Sequence, residues 1–141
     1  MSELHKHIVL KSRNTALREA ERKLKAILDT LKLSESDEHN LLVSASEAVN
    51  NAITHGNRNY PEKNVTLDIR STEDSEIIIS VEDEGRGFNP DSLPNPLLPE
   101  NLLKPSGRGI HIIKSLMDGV DFQFTDRGTK ITMRLTIGKA A

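Results

Sequence analysis

Hydrophobic residues recur at helical spacing in two stretches of the first half of the chain. They occupy positions 17, 20, 24, 27, 28 and 31 in the first stretch, and 41, 42, 45, 48, 49, 52 and 53 in the second. Spacings of three and four place such residues on one helix face. The pattern therefore predicts two amphipathic helices. A capping-box sequence at 34–37 begins the second, which ends near His55, where Gly56 and Asn57 offer a left-handed stop.

Beyond Pro61 the apolar pattern changes from helical to alternating. Apolar residues take every second position around 65–69, 77–81, 122–124 and 131–137. Such alternation predicts half-buried strands, joined in pairs by turns at 71–75 and 126–128. A short apolar segment at 8–10 adds a candidate edge strand.

The segment between the second and third predicted strands has no usable period. Residues 88–106 hold five of the six prolines, which predicts a long loop. A glycine turn at 107–109 then opens a short third helix, since Ile110, Ile113 and Met117 share one face.

The strands decide the fold class, because each shows a mostly polar second face and the sheet is therefore covered on one side only. We expect an α/β two-layer sandwich, with three helices on one face of a mainly antiparallel mixed sheet, in a single domain over residues 1–141. No phosphate loop of the G-x-x-x-x-G-K-[ST] type is present, and no G-x-G-x-x-G follows a strand. We therefore do not expect a P-loop or dinucleotide site.

Composition narrows the class of protein further. The 141 residues contain no Cys, which excludes disulfides and Cys-ligated metals. With 19 Lys and Arg against 21 Asp and Glu, the net charge of −2 is not that of a nucleic-acid binder. No apolar run approaches the ~20 residues of a membrane helix. We therefore expect a soluble cytoplasmic protein that binds neither nucleic acid nor membrane.

Three polar residues form a row along the second predicted helix. Glu47, Asn51 and His55 are four positions apart, at the edge of the apolar stripe. The Asn51 amide oxygen is a hard ligand that suits Mg²⁺, and Glu47 can accept a proton from an attacking hydroxyl or water. A solvated helix flank explains the same spacing.

A carboxylate on the wrong face of a strand is the sharper signal. Asp83 shares the parity of the apolar residues 77, 79 and 81, so it points toward the helix layer. Such a charge is costly unless it is paired, and the amino group of a ligand would pair with it. Gly85 and Gly87 would let the backbone approach that ligand. The alternative is a strand-ending turn with an incidental Asp.

The third signal is a glycine-rich helix start. Gly107, Arg108 and Gly109 precede helical residues whose free amides can bind an anion, and Arg108 can add charge. Thr129 has the inward parity of its strand and should lie near Asp83 if their strands are adjacent. A plain helix start and the ordinary β-propensity of Thr explain these two features equally well.

Taken in order, four segments resemble the N, G1 and G2 boxes and the closing Gly-Thr of the GHKL ATPase superfamily. They are 47–56 (EAVNNAITHG), 83–88 (DEGRGF), 107–110 (GRGI) and 128–129 (GT). Within that superfamily, the short chain and the run 106–118 (SGRGIHIIKSLMD) resemble most closely the bacterial anti-sigma-factor serine/threonine kinases. The resemblance covers nearly the whole chain.

This resemblance implies the Bergerat fold, ATP and Mg²⁺. Asp83 would bind the adenine amino group, with Thr129 supporting through a water; Asn51 would ligate Mg²⁺ and Glu47 would be the catalytic base. The remaining nucleotide-site residues would be His55, Gly85, Gly87, Gly107, Arg108 and Gly109, beneath an ATP lid formed by residues 88–106.

The resemblance also implies protein partners. Members of the family phosphorylate a Ser or Thr of an anti-anti-sigma protein, and many hold a sigma factor inactive as homodimers. Two alternatives stay open: an activating switch kinase of the same family, and a nucleotide-gated binding module without phosphotransfer. A sensor-kinase module is disfavoured because no helical hairpin with a phosphoacceptor His precedes the second helix.

Overall fold

A computed structural model describes residues 4–85, 107–126 and 128–137, with the backbone alone at residues 107 and 108. The predicted lid at 88–106, Gly87 and the side chain of Arg108 lie outside the described residues. In chain order the elements are β1 (Leu4–Lys11), α1 (Ala16–Asp29), α2 (Glu35–Asn51), a π-helical turn (Ala52–Gly56), β2 (Asn64–Ser71), β3 (Glu76–Asp83), α3 (Gly107–Leu116), β4 (Gly119–Phe124) and β5 (Thr129–Thr136).

The five strands form one sheet in the order β1-β2-β3-β5-β4. The edge strand expected at 8–10 is confirmed and is longer than predicted. All four pairings are antiparallel, so the described part of the sheet contains no parallel pair and is antiparallel rather than mixed. The predicted fold class, a two-layer α/β sandwich, is confirmed, with β3 as the central strand.

The core lies between the sheet and the three helices. Across the central strands the register aligns Leu67 with Val81 and Val81 with Ile131, and these residues are buried as alternation predicts. The helices contribute a set of aliphatic side chains to the same cluster: Ala20, Leu24, Leu28, Leu41, Ala45, Val49, Ile110 and Ile113. Full burial of each large aliphatic side chain stabilises the fold by about 1.5–3 kcal/mol. This core fixes α2 above β3 and β5, with α3 packed against α2 and β4.

The start of α2 follows the sequence signal. The Ser34 hydroxyl accepts a hydrogen bond from the amide of Asp37 at 3.1 Å, and acidic residues occupy the first turn. Both features satisfy or complement the free amides of a helix N-terminus. The cap therefore sets where α2 begins, and with it the helical position of Glu47 and Asn51.

The end of α2 departs from the prediction. The α-helix stops at Asn51 and continues as a π-helical turn, closed by a bond from the amide of Asn57 to the carbonyl of Ala52 at 2.7 Å. The left-handed stop predicted at Gly56 or Asn57 is wrong: Asn57 has φ −85°, and the left-handed residues are Arg58 and Asn59, with φ 51° and 60°. Gly56 serves a different purpose, because it lies directly against a side chain of β3.

Candidate functional site

Asp83 is the last residue of the central strand β3 and points into the helix layer, as its parity predicts. Only 6% of the residue is exposed. Its Oδ1 accepts two backbone hydrogen bonds, from Gly85 at 3.0 Å and from Thr129 at 3.1 Å. Among the described residues, no donor reaches Oδ2. Oδ1 is therefore engaged by backbone amides, whereas no donor from residues 4–85, 107–126 or 128–137 occupies Oδ2.

Glycines surround this carboxylate because nothing larger fits. A Cβ on Gly56 would overlap the carboxyl group of Asp83, and one on Gly128 would overlap its Oδ1 and its carbonyl oxygen. A Cβ on Gly85 would overlap the carbonyl oxygen of Gly56. The backbones of three chain segments, at Gly56, Gly85 and Gly128, thus pack closely around the buried Asp83.

Burial raises the pKa of the Asp83 carboxyl above its ordinary value of 3.8. The hydrogen bonds from the amides of Thr129 and Gly85 stabilise the charged form and offset part of this effect, but the net shift is upward. A desolvated carboxylate with one unsatisfied oxygen gains from a neutral N–H donor. The chemistry of the group therefore suits the amino group of a ligand.

A second cluster lies where α2 and α3 meet. Glu47 and Asn51, one turn apart on α2, both face the start of α3. A Cβ on Gly109 would lie 2.7 Å from Oε2 of Glu47 and 3.3 Å from Nδ2 of Asn51. The glycine therefore lets the first turn of α3, with its free amides and positive dipole end, approach these two side chains.

The structure brings most of the predicted residues into two groups joined by α2 and its π-helical turn. One group is Asp83, Gly85 and Thr129, so the predicted adjacency of Thr129 and Asp83 is present. The other is Glu47, Asn51 and Gly109. His55 lies on the π-helical turn with an exposed side chain, and the described contacts join it to neither group.

The residues of the second cluster fit Mg²⁺ as a partly hydrated ion. Among the described residues, no three His, Asp or Glu side chains are arranged to hold a metal. Mg²⁺ usually keeps several waters and takes one or two protein ligands plus substrate phosphates, so the single hard oxygen of Asn51 beside an anion-binding helix start is a fitting donor set.

Sequence reasoning missed Asn57 as part of the site. The residue is fully buried, and its carboxamide bonds to Ser12, Asn64 and Glu84. It was read as a helix terminator because Asn favours such positions. The only available sequence signal was a polar residue directly after a glycine that ends an apolar helix.

No helix among the described residues is both long enough and apolar enough to cross a membrane.

The fold and these residues define a class, an ATPase-type α/β sandwich with a buried acid on its central strand. Residues 10–135 match the family described as the histidine kinase-like ATPase domain. The match covers most of the chain, which therefore belongs to the histidine kinase-like ATPase family.

Among curated proteins, the chain is similar to anti-sigma F factors. It is 37% identical over 100 residues to that of Oceanobacillus iheyensis, covering 67% of this chain and 66% of the relative. It is 40% identical over 96 residues to that of Clostridium perfringens strain 13, covering 64% and 66%. These alignments span just under two thirds of the relatives' own length.

Solved structures share the fold. The RsbU and RsbW domains of Rv1364c from Mycobacterium tuberculosis match with a TM-score of 0.73 at 20% identity, over 100% of this chain and 34% of that one. The mycobacterial sensor histidine kinase MprB matches with a TM-score of 0.56 at 16% identity, over 95% and 98%. At these identities the likeness concerns the fold alone.

Proposed function

We propose that the chain is an ATP-dependent serine/threonine protein kinase of the anti-sigma-factor type. In this proposal it transfers the γ-phosphoryl group of ATP to a hydroxyl of an anti-anti-sigma protein. The observation that carries the proposal is the buried Asp83, one of whose carboxylate oxygens has no donor in the part of the chain that the structure describes, in a chain similar to anti-sigma F factors.

Nucleotide recognition rests on Asp83 and Thr129. Oδ2 of Asp83 accepts a hydrogen bond from the adenine amino group, while Oδ1 stays held by two backbone amides. Thr129 supports the base through a water that its hydroxyl binds. The lack of side chains at Gly56, Gly85 and Gly128 leaves room beside the Asp83 carboxylate, so a flat base can approach it.

The triphosphate lies between α2 and α3. The amides at the start of α3, residues 107–109, bind phosphate oxygens with help from the helix dipole, and Arg108 adds positive charge. Asn51 ligates Mg²⁺, which neutralises charge on the phosphates when bound. The closeness of Gly109 to Asn51 supports this arrangement.

Glu47 is the catalytic base. Its carboxylate accepts the proton of the substrate hydroxyl as that oxygen bonds to the γ-phosphorus, and the bond to the bridging oxygen breaks to release ADP. Its position beside Gly109 supports the assignment, since the base must lie next to the phosphate-binding helix start.

We also infer that the chain binds a sigma factor, acts as a homodimer and works in the bacterial cytoplasm. The name of the similar proteins, anti-sigma F factor, supports the first point. The activating switch kinase and the binding module without phosphotransfer remain the competing functions. The binding module needs Asp83 but not Glu47, so the two variants separate it from a kinase.

Phosphotransfer tests the proposal directly. The protein is incubated with Mg²⁺-ATP and each anti-anti-sigma-like protein of the same organism, and the intact mass of every partner is read. We expect one partner to gain the mass of a phosphate. Glu47→Ala and Asn51→Ala should abolish the gain, whereas Glu73→Ala, at an exposed hairpin position, should not. ATP binding with no mass gain on any partner would contradict the kinase and favour the binding module.

A further inference from the structure

We propose that Asn57 is a positioning residue of the nucleotide site, which holds the carboxylate of Asp83 against the π-helical turn and thereby sets the preference for adenine. The inference rests on the proposed role of Asp83 in binding the adenine amino group. Asn57 itself does not contact the nucleotide in this arrangement.

Asn57 directly follows the turn that packs on Asp83. Its backbone amide closes the π-helical turn on the carbonyl of Ala52 at 2.7 Å. The preceding residue, Gly56, is the one whose missing Cβ leaves room for the Asp83 carboxyl group. The conformation of the turn at Gly56 therefore sets the distance between the Gly56 backbone and the Asp83 carboxylate.

The side chain of Asn57 ties the same turn to the residue after Asp83. Its Oδ1 accepts a hydrogen bond from the amide of Glu84 at 2.8 Å. Gly56, the last residue of the turn, contacts Asp83, the last residue of β3, and the next residues of the two segments, Asn57 and Glu84, are joined by a hydrogen bond. Such a two-point attachment fixes both the distance and the angle between turn and strand.

The other end of the carboxamide is anchored in the sheet. Its Nδ2 donates to the hydroxyl of Ser12 at 2.8 Å and to the carbonyl of Asn64 at 2.9 Å. Ser12 in turn donates from its hydroxyl to the carbonyl of Lys63 at 2.9 Å. Both N–H groups and the oxygen of Asn57 are thus engaged inside a fully buried site. A satisfied buried network of this kind has one orientation, which is what a positioning residue requires.

Loss of the carboxamide leaves the Glu84 amide without its partner and frees the turn to move relative to Asp83. Recognition of an amino group depends on hydrogen-bond geometry, whereas stacking and phosphate contacts depend on it much less. We therefore expect a change at Asn57 to weaken discrimination at the amino group more than it weakens nucleotide binding as a whole.

The test compares ATP with purine riboside triphosphate, which lacks the amino group. Calorimetry gives both dissociation constants for the wild type, Asn57→Ala and Ser12→Ala. We expect the wild type to prefer ATP by about tenfold or more, as the loss of a hydrogen bond to a charged group predicts. Asn57→Ala should reduce the preference to less than about threefold. Ser12→Ala removes only one of the two acceptors that anchor Nδ2 and should give a ratio between those of the wild type and Asn57→Ala.

The ratio separates positioning from simple destabilisation, because a partly unfolded protein loses both ligands alike. If Asn57→Ala does not fold, Asn57→Ser serves in its place: it also removes the carboxamide acceptor for the Glu84 amide but keeps a small polar group at the buried position, and it should lose the preference as Asn57→Ala does. A folded Asn57→Ala or a folded Asn57→Ser with an unchanged ratio would overturn the inference.

A further variant distinguishes failure of this inference from failure of the proposed function. Asp83→Asn should abolish the preference for ATP. If it does so while Asn57→Ala leaves the ratio intact, Asp83 binds adenine and Asn57 is only structural. If the wild type itself shows no preference, both the role of Asp83 and the inference are overturned.

Discussion

The carboxylate of Asp83 uses one oxygen inside the protein and leaves the other without a donor among the described residues. Evolution of a stable core alone favours an apolar residue at this position, since its neighbours on the same face of β3, Ile79 and Val81, are buried and aliphatic. A buried acid that destabilises the unliganded fold is typical of a residue retained for binding.

The pH dependence of stability should report this cost. The folded pKa of Asp83 is raised above the ordinary 3.8, so the folded state holds the proton longer than the unfolded state. The contribution of Asp83 to the free energy of unfolding therefore falls as the pH rises from 3.8 through the folded pKa, and is constant above it. Glu82 adds to the upward shift and Lys63 opposes it, both as smaller effects.

Urea unfolding of the wild type and Asp83→Asn at a series of pH values checks this prediction. We expect the stability of the wild type relative to the variant to decline across that window, while contributions from Asp29 and Asp68, whose pKa values are lowered, cancel in the comparison. A difference that is independent of pH would show that burial does not perturb Asp83.

At the level of single residues, the sequence predicted Asp83 as a site residue but did not predict Asn57. The inward position of Asp83 follows from the two-residue period of a strand, a rule that needs no knowledge of the rest of the fold. Asn57 could not be found in this way. Its partners Ser12 and Glu84 are 45 and 27 positions away, and only the tertiary fold brings them together.

Among the elements, the end of α2 shows where periodicity stops being informative. The apolar spacing predicted a helix to His55, and the chain is helical over that range, but its last turn is π-helical. The turn is closed by the hydrogen bond from Asn57 to Ala52, and the carboxamide network around Asn57 holds the donor in place. No local pattern reports a bond that depends on distant partners.

Gly56→Ala tests the contact between this turn and β3. Gly56 does not adopt a left-handed conformation, so an added methyl group strains the contact rather than the backbone. Because the new Cβ meets the carboxyl group of Asp83, we expect a loss of about 1–3 kcal/mol in the free energy of unfolding, as overpacking predicts, together with weaker ATP binding.

Gly119→Ala is the matched control, measured by urea unfolding and ATP calorimetry alongside Gly56→Ala. The atoms nearest to its Cβ would be those at the guanidinium end of Arg134, a half-exposed and flexible side chain. We expect a small change in stability and unaltered ATP affinity. Equal losses in the two variants would mean that the close approach of Gly56 to Asp83 has no special role.

In the whole molecule, the proposed site is assembled from segments far apart in sequence. Residues 47–56, 83–85, 109 and 128–129 converge because α2 packs on β3 and β5, and α3 packs against α2 and β4. Strand alternation and the order of the motifs predicted this architecture, including the one-sided sheet. The long edge strand and the fully antiparallel pairing came only from the structure, since Lys6 on the inward parity and Val9 on the outward parity interrupt the alternation of β1.

The central claim is that Asp83 binds the adenine of ATP, and calorimetric titration of Mg²⁺-ATP into Asp83→Asn tests it most directly. Asp74→Asn, which removes the same charge at an exposed hairpin position, is the control. We expect Asp83→Asn to lose at least about tenfold in affinity, the value of a hydrogen bond to a charged group, with its melting temperature retained or raised. The control should bind as the wild type does. Near-normal affinity of a folded Asp83→Asn would contradict the account.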